Sequence, residues 1–172
     1  MAQSLSLSQA GGIEIPFPEG EFIVSKTDTQ GRITYGNSIF VRISGYSKEE
    51  LIGAPHNILR HPDMPKTIFH LLWTTIKGGY EIFAYVKNRT KQGNYYWVKA
   101  HVTPDFNERG EIIGYHSARR PPKRNNIPTI EALYRELSSI ERREGIPAAV
   151  AHLNRVIAEA GKKSYGEFIF NL

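Results

Sequence analysis

"YEIFAYVKNRTKQGNYYWVKAHVTPDFNERGEIIGYHSARR", Tyr80 to Arg120, decides the fold. It holds three runs rich in Tyr, Phe, Val and Ile, separated by "KQGN" and "NERGE", each a glycine-containing turn of hairpin length. That pattern predicts three consecutive antiparallel strands. Towards the N-terminus, "FIVSKT" (Phe22–Thr27) and "RITYG" (Arg32–Gly36) are two further β-rich runs joined by the turn "DTQG", again a hairpin signal.

Between the two groups of strands the period becomes helical. Asn37 stands where an N-cap belongs, ahead of Ile39, Phe40 and Ile43, and Gly45 ends that helix. Ser47 and Glu50 form a capping-box pattern for one further turn, "SKEELIG". "MPKTIFHLLWTTIKGG" (Met64–Gly79) reads as the longest core helix, with Pro65 in its first turn, Ile68, Leu71, Leu72 and Ile76 as its apolar stripe, and two glycines at its end. The order predicts an α+β fold: a five-stranded antiparallel sheet with short helices on one face and a cavity between the layers.

After the strands, "IPTIEALYRELSSIERREG" aligns Ile130, Leu133, Tyr134, Leu137 and Ile140 on one helical face, and "IPAAVAHLNRVIAEAG" does the same with Ile146, Val150, Leu153 and Ile157. A C-terminal αα-hairpin follows, with the aromatic tail "YGEFIFNL" covering an apolar surface. The organisation expected is a flexible Ser/Gln/Gly-rich leader over 1–20, a core domain over 21–120, a basic linker over 121–127 and a helical extension over 128–172.

Composition sets limits. A chain of 172 residues, 40% hydrophobic, buries one core of roughly 100–120 residues and carries an appendage. The absence of cysteine removes disulfides, thiolate metal sites, covalent haem attachment and cysteinyl–flavin adducts. No apolar run approaches the roughly 18–20 residues of a bilayer crossing, and the N-terminus lacks a basic region followed by an apolar block. No direct membrane span and a cytoplasmic location are therefore expected. The net charge of +5 is diffuse; its densest patch, "RRPPKR" (Arg119–Arg124), reads as a solvated linker, because no aromatic platform or recognition helix accompanies it, and nucleic acid is not an expected partner. No Ser/His/Asp or paired-carboxylate arrangement stands out, and His56 and His61 lack a third ligand at a recognisable spacing, so neither an enzyme nor a metal site is expected.

Polar chemistry concentrates in "PHNILRHPDMP" (Pro55–Pro65), which packs two histidines, an arginine, an aspartate and an asparagine among three prolines. A solvated loop explains the charges but not the stiffening prolines. Together with "GNSIFVRISGYSKEELIG", "VKNRTKQGNYYWV" and the order of elements, this block resembles a PAS domain, specifically the FAD-binding PAS domains of bacterial aerotaxis and energy-taxis receptors, over about Glu21 to Arg120. With no counterpart of a HAMP region, a transmembrane pair or a methyl-accepting helix, the chain is similar to the small soluble PAS component of a bipartite energy-taxis receptor.

The resemblance implies non-covalent FAD, redox sensing without turnover, and a membrane-bound chemotaxis transducer of the HAMP, methyl-accepting type as partner. A second copy of the chain, forming a homodimer, is a further candidate partner. In such a site Arg60 and His61, with the dipole of the helix that follows, are placed to hold the pyrophosphate. Asp63 orients His61 or caps that helix. Trp73 packs on a flavin or adenine face. Asn88, whose amide donates and accepts at once, meets the pyrimidine edge of the ring. His56, Asn57, Asn37, Tyr96 and Trp97 complete the set.

Structural roles compete for several of these residues: Asn37 and Asp63 as helix caps, Trp73 and Trp97 as core filler. Where membrane-embedded relatives often carry a tryptophan early in the third strand, this chain has Ile82 or Phe83. Two alternatives remain open. One is a haem-binding PAS sensor with His56, His61 or His70 as axial ligand; the other is a cofactor-free interaction module in which Arg60, His61 and Asn88 are structural.

Overall fold

The computed structural model describes residues 12–172. Its five strands, β1 (Ile23–Thr27), β2 (Ile33–Gly36), β3 (Ile82–Arg89), β4 (Tyr95–Phe106) and β5 (Ile112–Arg120), form one antiparallel sheet in the order β2-β1-β5-β4-β3. Ser25 lies opposite Ser117, Ala100 opposite Arg119, and Val86 opposite Val98. Alternate residues of a strand share a face, so Ser25, Val86, Asn88, Ala100, Tyr115, Ser117 and Arg119 look the same way.

The short helices cover that face: α1 (Ser38–Ser44), α2 (Lys48–Leu51) and α3 (Lys66–Lys77). Asn37 caps α1, its Oδ1 accepting from Phe40 N at 3.0 Å and Val24 N at 3.2 Å while its Nδ2 donates to Phe22 O at 2.9 Å. It ties β1 to α1 and does not line the cavity, so the structure gives it the capping role. Ser47 and Glu50 form the expected capping box on α2.

The Pro55–Pro65 block is more than a stiff loop. His56–Leu59 makes a single 3₁₀ turn, and the chain then runs extended along the open edge of β3, with Arg60 bridged to Asn88 and His61 N donating to Lys87 O at 3.4 Å. Pro65 stands at the N-cap of α3 rather than inside its first turn, and has no side chain to cap with. The cap comes from 75 residues away: Glu141 accepts from Lys66 N and Thr67 N, both at 3.0 Å, and from Thr67 Oγ1 at 2.7 Å.

Glu141 belongs to the extension, which comprises α4 (Ile127–Glu144), α5 (Ile146–Glu159) and α6 (Tyr165–Phe170). The αα-hairpin is as expected; the aromatic tail adds a third helix, capped by Ser164. Most of the expected linker is also ordered, since a 3₁₀ turn over Arg124–Asn126 leads directly into α4. The extension covers the far face of β3 and β4: Tyr134 Oη donates to Tyr85 O at 2.6 Å, and Asn126 Nδ2 to Tyr85 Oη at 3.1 Å.

The leader was expected to be flexible over 1–20. Residues 1–11 lie outside the described residues, but Tyr95 N donates to Ile13 O at 3.1 Å and Ile15 N to Tyr95 O at 2.7 Å. The reason is register. β5 pairs with β4 only from Lys99 onward, which leaves the start of β4 with an open edge that this segment takes.

Because Asn37 satisfies backbone groups on both β1 and α1, Asn37→Ala is expected to lower stability by about 1–2 kcal/mol, measured as a lower urea midpoint with an unchanged m-value.

Candidate functional site

A cavity of about 260 Å³ lies between the sheet and α3, just under the roughly 300–1,000 Å³ of most small-molecule sites. Val86, Ala100 and Val102 form one wall and Leu72, Trp73 and Ile76 the other; Ser25, Ser117, Asn88 and Arg119 supply polarity from the sheet, and His56, Asn57 and Arg60 from the rim. Trp73 meets Tyr115 edge-on at 5.4 Å between centroids. It reaches the rim because residue 31 is glycine: φ there is +83°, and a Cβ would lie 3.0 Å from the indole.

No aspartate or glutamate lines the cavity among the described residues, yet two guanidinium groups do. Arg119 is 2% exposed. Its Nη2 donates to Ser25 Oγ, its Nε and Nη1 have no partner among the described residues, and its charge sits 4.7 Å above the centre of the Phe40 ring. Burial pushes its pKa down to about 10, so it stays charged at neutral pH. Arg60 lies 3.7 Å over the Phe69 ring with its buried Nε also unpartnered, and desolvation lowers its pKa too. Buried donors without acceptors and buried charge without a counter-ion are both unfavourable. Together they describe a site shaped for an electron-rich or anionic occupant.

His56 sits against this pair. Its Nε2 is 3.1 Å from Ser25 Oγ and its ring stacks on Phe40 at 6.0 Å. Desolvation, then the charges of Arg119 and Arg60, hold its pKa at about 3, and the imidazole is neutral. Asn88, buried and inward, lies opposite Tyr96 across β3 and β4.

Of the residues singled out from the sequence, Arg60, His56, Asn57, Trp73 and Asn88 line the cavity. His61, Asp63 and Trp97 do not. In an extended segment consecutive side chains point to opposite sides; with Arg60 directed into the cavity beside Asn88, His61 goes to the far side beside Lys87. There His61 Nδ1 accepts from Asp63 N at 3.0 Å, and Asp63 Oδ2 accepts from Lys87 Nζ at 2.8 Å. Asp63 does not cap α3, because Glu141 does. Trp97 is one residue out of phase with inward Val98 and packs 6.2 Å from Tyr134. Tyr96 is fully buried without reaching the lining.

The N-terminal dipole of α3, expected to serve a pyrophosphate, already faces the Glu141 carboxylate. Of the three histidines considered for haem, only His56 faces the cavity; His61 lies on the far side, and His70 is exposed on α3. Neither Ile82 nor Phe83 reaches the lining: Ile82 is buried in the core and Phe83 stacks on His101 at 4.3 Å. Among the described residues no group of three His, Asp or Glu side chains is placed to hold a metal ion, and no helix is long and apolar enough to cross a membrane.

The residue that sequence reasoning missed is Arg119, grouped with the basic patch that follows it. The signal was the period of two in "YHSAR": Tyr115, Ser117 and Arg119 share a face, as do Ile23 and Ser25 on β1.

A family model described as the PAS fold matches residues 33–119. The aerotaxis receptor of Escherichia coli K12 is 44% identical over 124 residues, 72% of this chain and 24% of that protein. This chain spans a quarter or less of the length of the curated relatives it matches. Among solved structures, a light-oxygen-voltage domain studied with a flavin analogue superposes with a TM-score of 0.56 at 16% identity, over 63% of this chain and 82% of that one. A PAS domain from Colwellia psychrerythraea superposes with a TM-score of 0.50 at 25% identity, over 58% and 85%.

Since the Arg119 charge has no counter-ion, Arg119→Met is expected to stabilise the ligand-free protein by about 1–3 kcal/mol, read from urea unfolding; a loss of stability would mean that the guanidinium is structural.

Proposed function

The chain belongs to the PAS fold family, and from that premise we propose that its cavity takes the ring system of non-covalently bound FAD and that the protein is a redox sensor for energy taxis, partnered by a membrane-bound chemotaxis transducer. One observation carries the reading: an acid-free cavity in which Arg119 and Arg60 hold idle N–H donors next to the amide of Asn88. A flavin presents two apolar faces, an edge of carbonyl and imide groups, and an anionic tail. Val86, Ala100, Leu72 and Trp73 suit the faces, Arg119 and Asn88 the edge. The cavity holds the ring and not the whole dinucleotide, so the tail leaves by the rim, where Arg60 and Asn57 stand. The 44% identical aerotaxis receptor supports the taxis role.

When bound, FAD supplies reversible electron acceptance. The residues around it supply the transmission. Asn88 sits on edge strand β3, whose far side is held by Tyr134 through Tyr85 O; α3 forms the opposite wall, and its N-terminus is held by Glu141. Both attachments lie on α4. A change in hydrogen bonding at Asn88 or a small shift of α3 therefore reaches the extension by two routes, and a difference of ~1–3 kcal/mol biases its packing. The hairpin and the part of the sheet's far face that the extension leaves uncovered are the surface offered to the transducer.

The purified protein is expected to be yellow, with paired near-ultraviolet and blue bands, and to release FAD on heating. A colourless protein, or a Soret band pointing to haem on His56, overturns the reading. Arg119→Met and Asn88→Leu are expected to lower FAD content at least tenfold, whereas Trp97→Phe on the far face retains it. Glu141→Ala is expected to keep FAD while raising amide exchange in α4, and to erase any difference in α4 exchange between oxidised and reduced protein.

A further inference from the structure

Resting on the FAD reading, we propose that His56 is the proton acceptor of the cavity: when a bound ring becomes negatively charged on reduction, a proton from water is taken up at His56 Nε2, and Ser25 registers the change.

The geometry begins with Ser25 Oγ, which lies between Arg119 Nη2 and His56 Nε2, the latter at 3.1 Å. A guanidinium only donates. Ser25 therefore accepts from Arg119 and has one proton of its own, which we assign in the resting state to the 3.1 Å contact with Nε2. That leaves Nε2 as the bare nitrogen of a neutral imidazole. Packed against His56 are Arg119 from β5, Ser25 from β1, the Phe40 ring from α1 and Arg60 from its own segment; His116 of β5 also lines the cavity, and no carboxylate does among the described residues.

Two cations and desolvation keep His56 unprotonated in the ligand-free cavity. A negative charge on an occupant that meets Arg119 and Arg60 offsets their repulsion and gives the imidazole an anionic neighbour, and both effects favour imidazolium. The balance is complete. With FAD bound, two electrons from a low-potential reductant such as dithionite would be matched by two protons from water, one on the ring and one on Nε2, so the net charge of the cavity would not change. Once Nε2 carries a proton it donates to Ser25 Oγ, and the hydroxyl proton of Ser25 must turn away, leaving Ser25 to accept from both Arg119 and His56. The hydrogen bond between β1 and the Pro55–Pro65 block reverses its direction. That block continues through Arg60 and His61 along the edge of β3, so the reversal acts on the strand that carries Asn88.

The test is a dithionite titration of FAD-loaded protein at several pH values, with ¹⁵N-histidine NMR of the oxidised and fully reduced wild type. The wild-type potential is expected to follow pH with two protons for two electrons. His56→Gln is expected to halve that slope, and the His56 Nε2 resonance to move from the bare to the protonated position on reduction. An equal slope in His56→Gln, or a His56 resonance that reduction does not move, overturns the role of His56. The wild-type NMR measurement decides alone if the variant fails to hold FAD. A yellow protein with either overturning result leaves the FAD reading standing; a colourless one removes both.

Discussion

Arg119 keeps its charge at a depth where no carboxylate answers it, and the surrounding residues are arranged accordingly. Ser25 takes one of its donors, the Phe40 ring lies beneath its charge, and His56 stays neutral beside it. A protein that needed only a filled core would place an aliphatic side chain here, as β4 does opposite with Ala100. A buried cation with idle donors is an incomplete interaction, and what completes it must be rich in acceptors. The alternation of β5 is the means: once Tyr115 faces inward, Ser117 and Arg119 follow.

The same alternation explains why the polar block is split in two. Arg60 and His61 lie on one extended segment against β3, and the pleat sends one to the cavity and the other to the extension. Lys87 and Asn88 divide in the same way on the strand itself. Chemistry at Asn88 and packing at Lys87 are thus adjacent residues of one backbone, hydrogen-bonded to one neighbouring segment. An edge strand suits this use, because only one flank is fixed by a full ladder and the other is held by the single bridge at Arg60.

The element order, the sheet, the caps at Asn37 and Ser47 and the helical extension were legible in the sequence because each rests on local rules: period, turn residues and capping partners. Trp73 and Asn88 were placed at the cavity by the family resemblance, Asn88 also by its inward position on a strand. What stayed hidden depends on register or on distant partners. Arg119 is the penultimate residue of β5 and also the first of the basic patch that runs to Arg124, and only the strand register decides that it points into the cavity. The cap of α3 is supplied by Glu141, which no local pattern reveals; a proline at the N-cap, unable to cap its own helix, was the one hint that a distant partner was needed.

Glu141 also fixes the division of labour in the site. The start of a helix is a ready place for phosphate, and in α3 a carboxylate from the extension takes it. In the proposed FAD reading, an anionic tail leaving the cavity would be directed to the rim at Asn57 and Arg60, away from the end of α3 where α4 is attached. In that reading the binding end and the reporting end of α3 are separate, which would let the extension respond to how α3 is seated without competing with the ligand for the same backbone donors. If the tail and Glu141 shared those donors, the ligand would expel the extension by simple displacement, whatever its electron count. With the donors divided, only a change that moves α3 or β3 would be transmitted, which is what the proposed sensing of redox state rather than of occupancy requires.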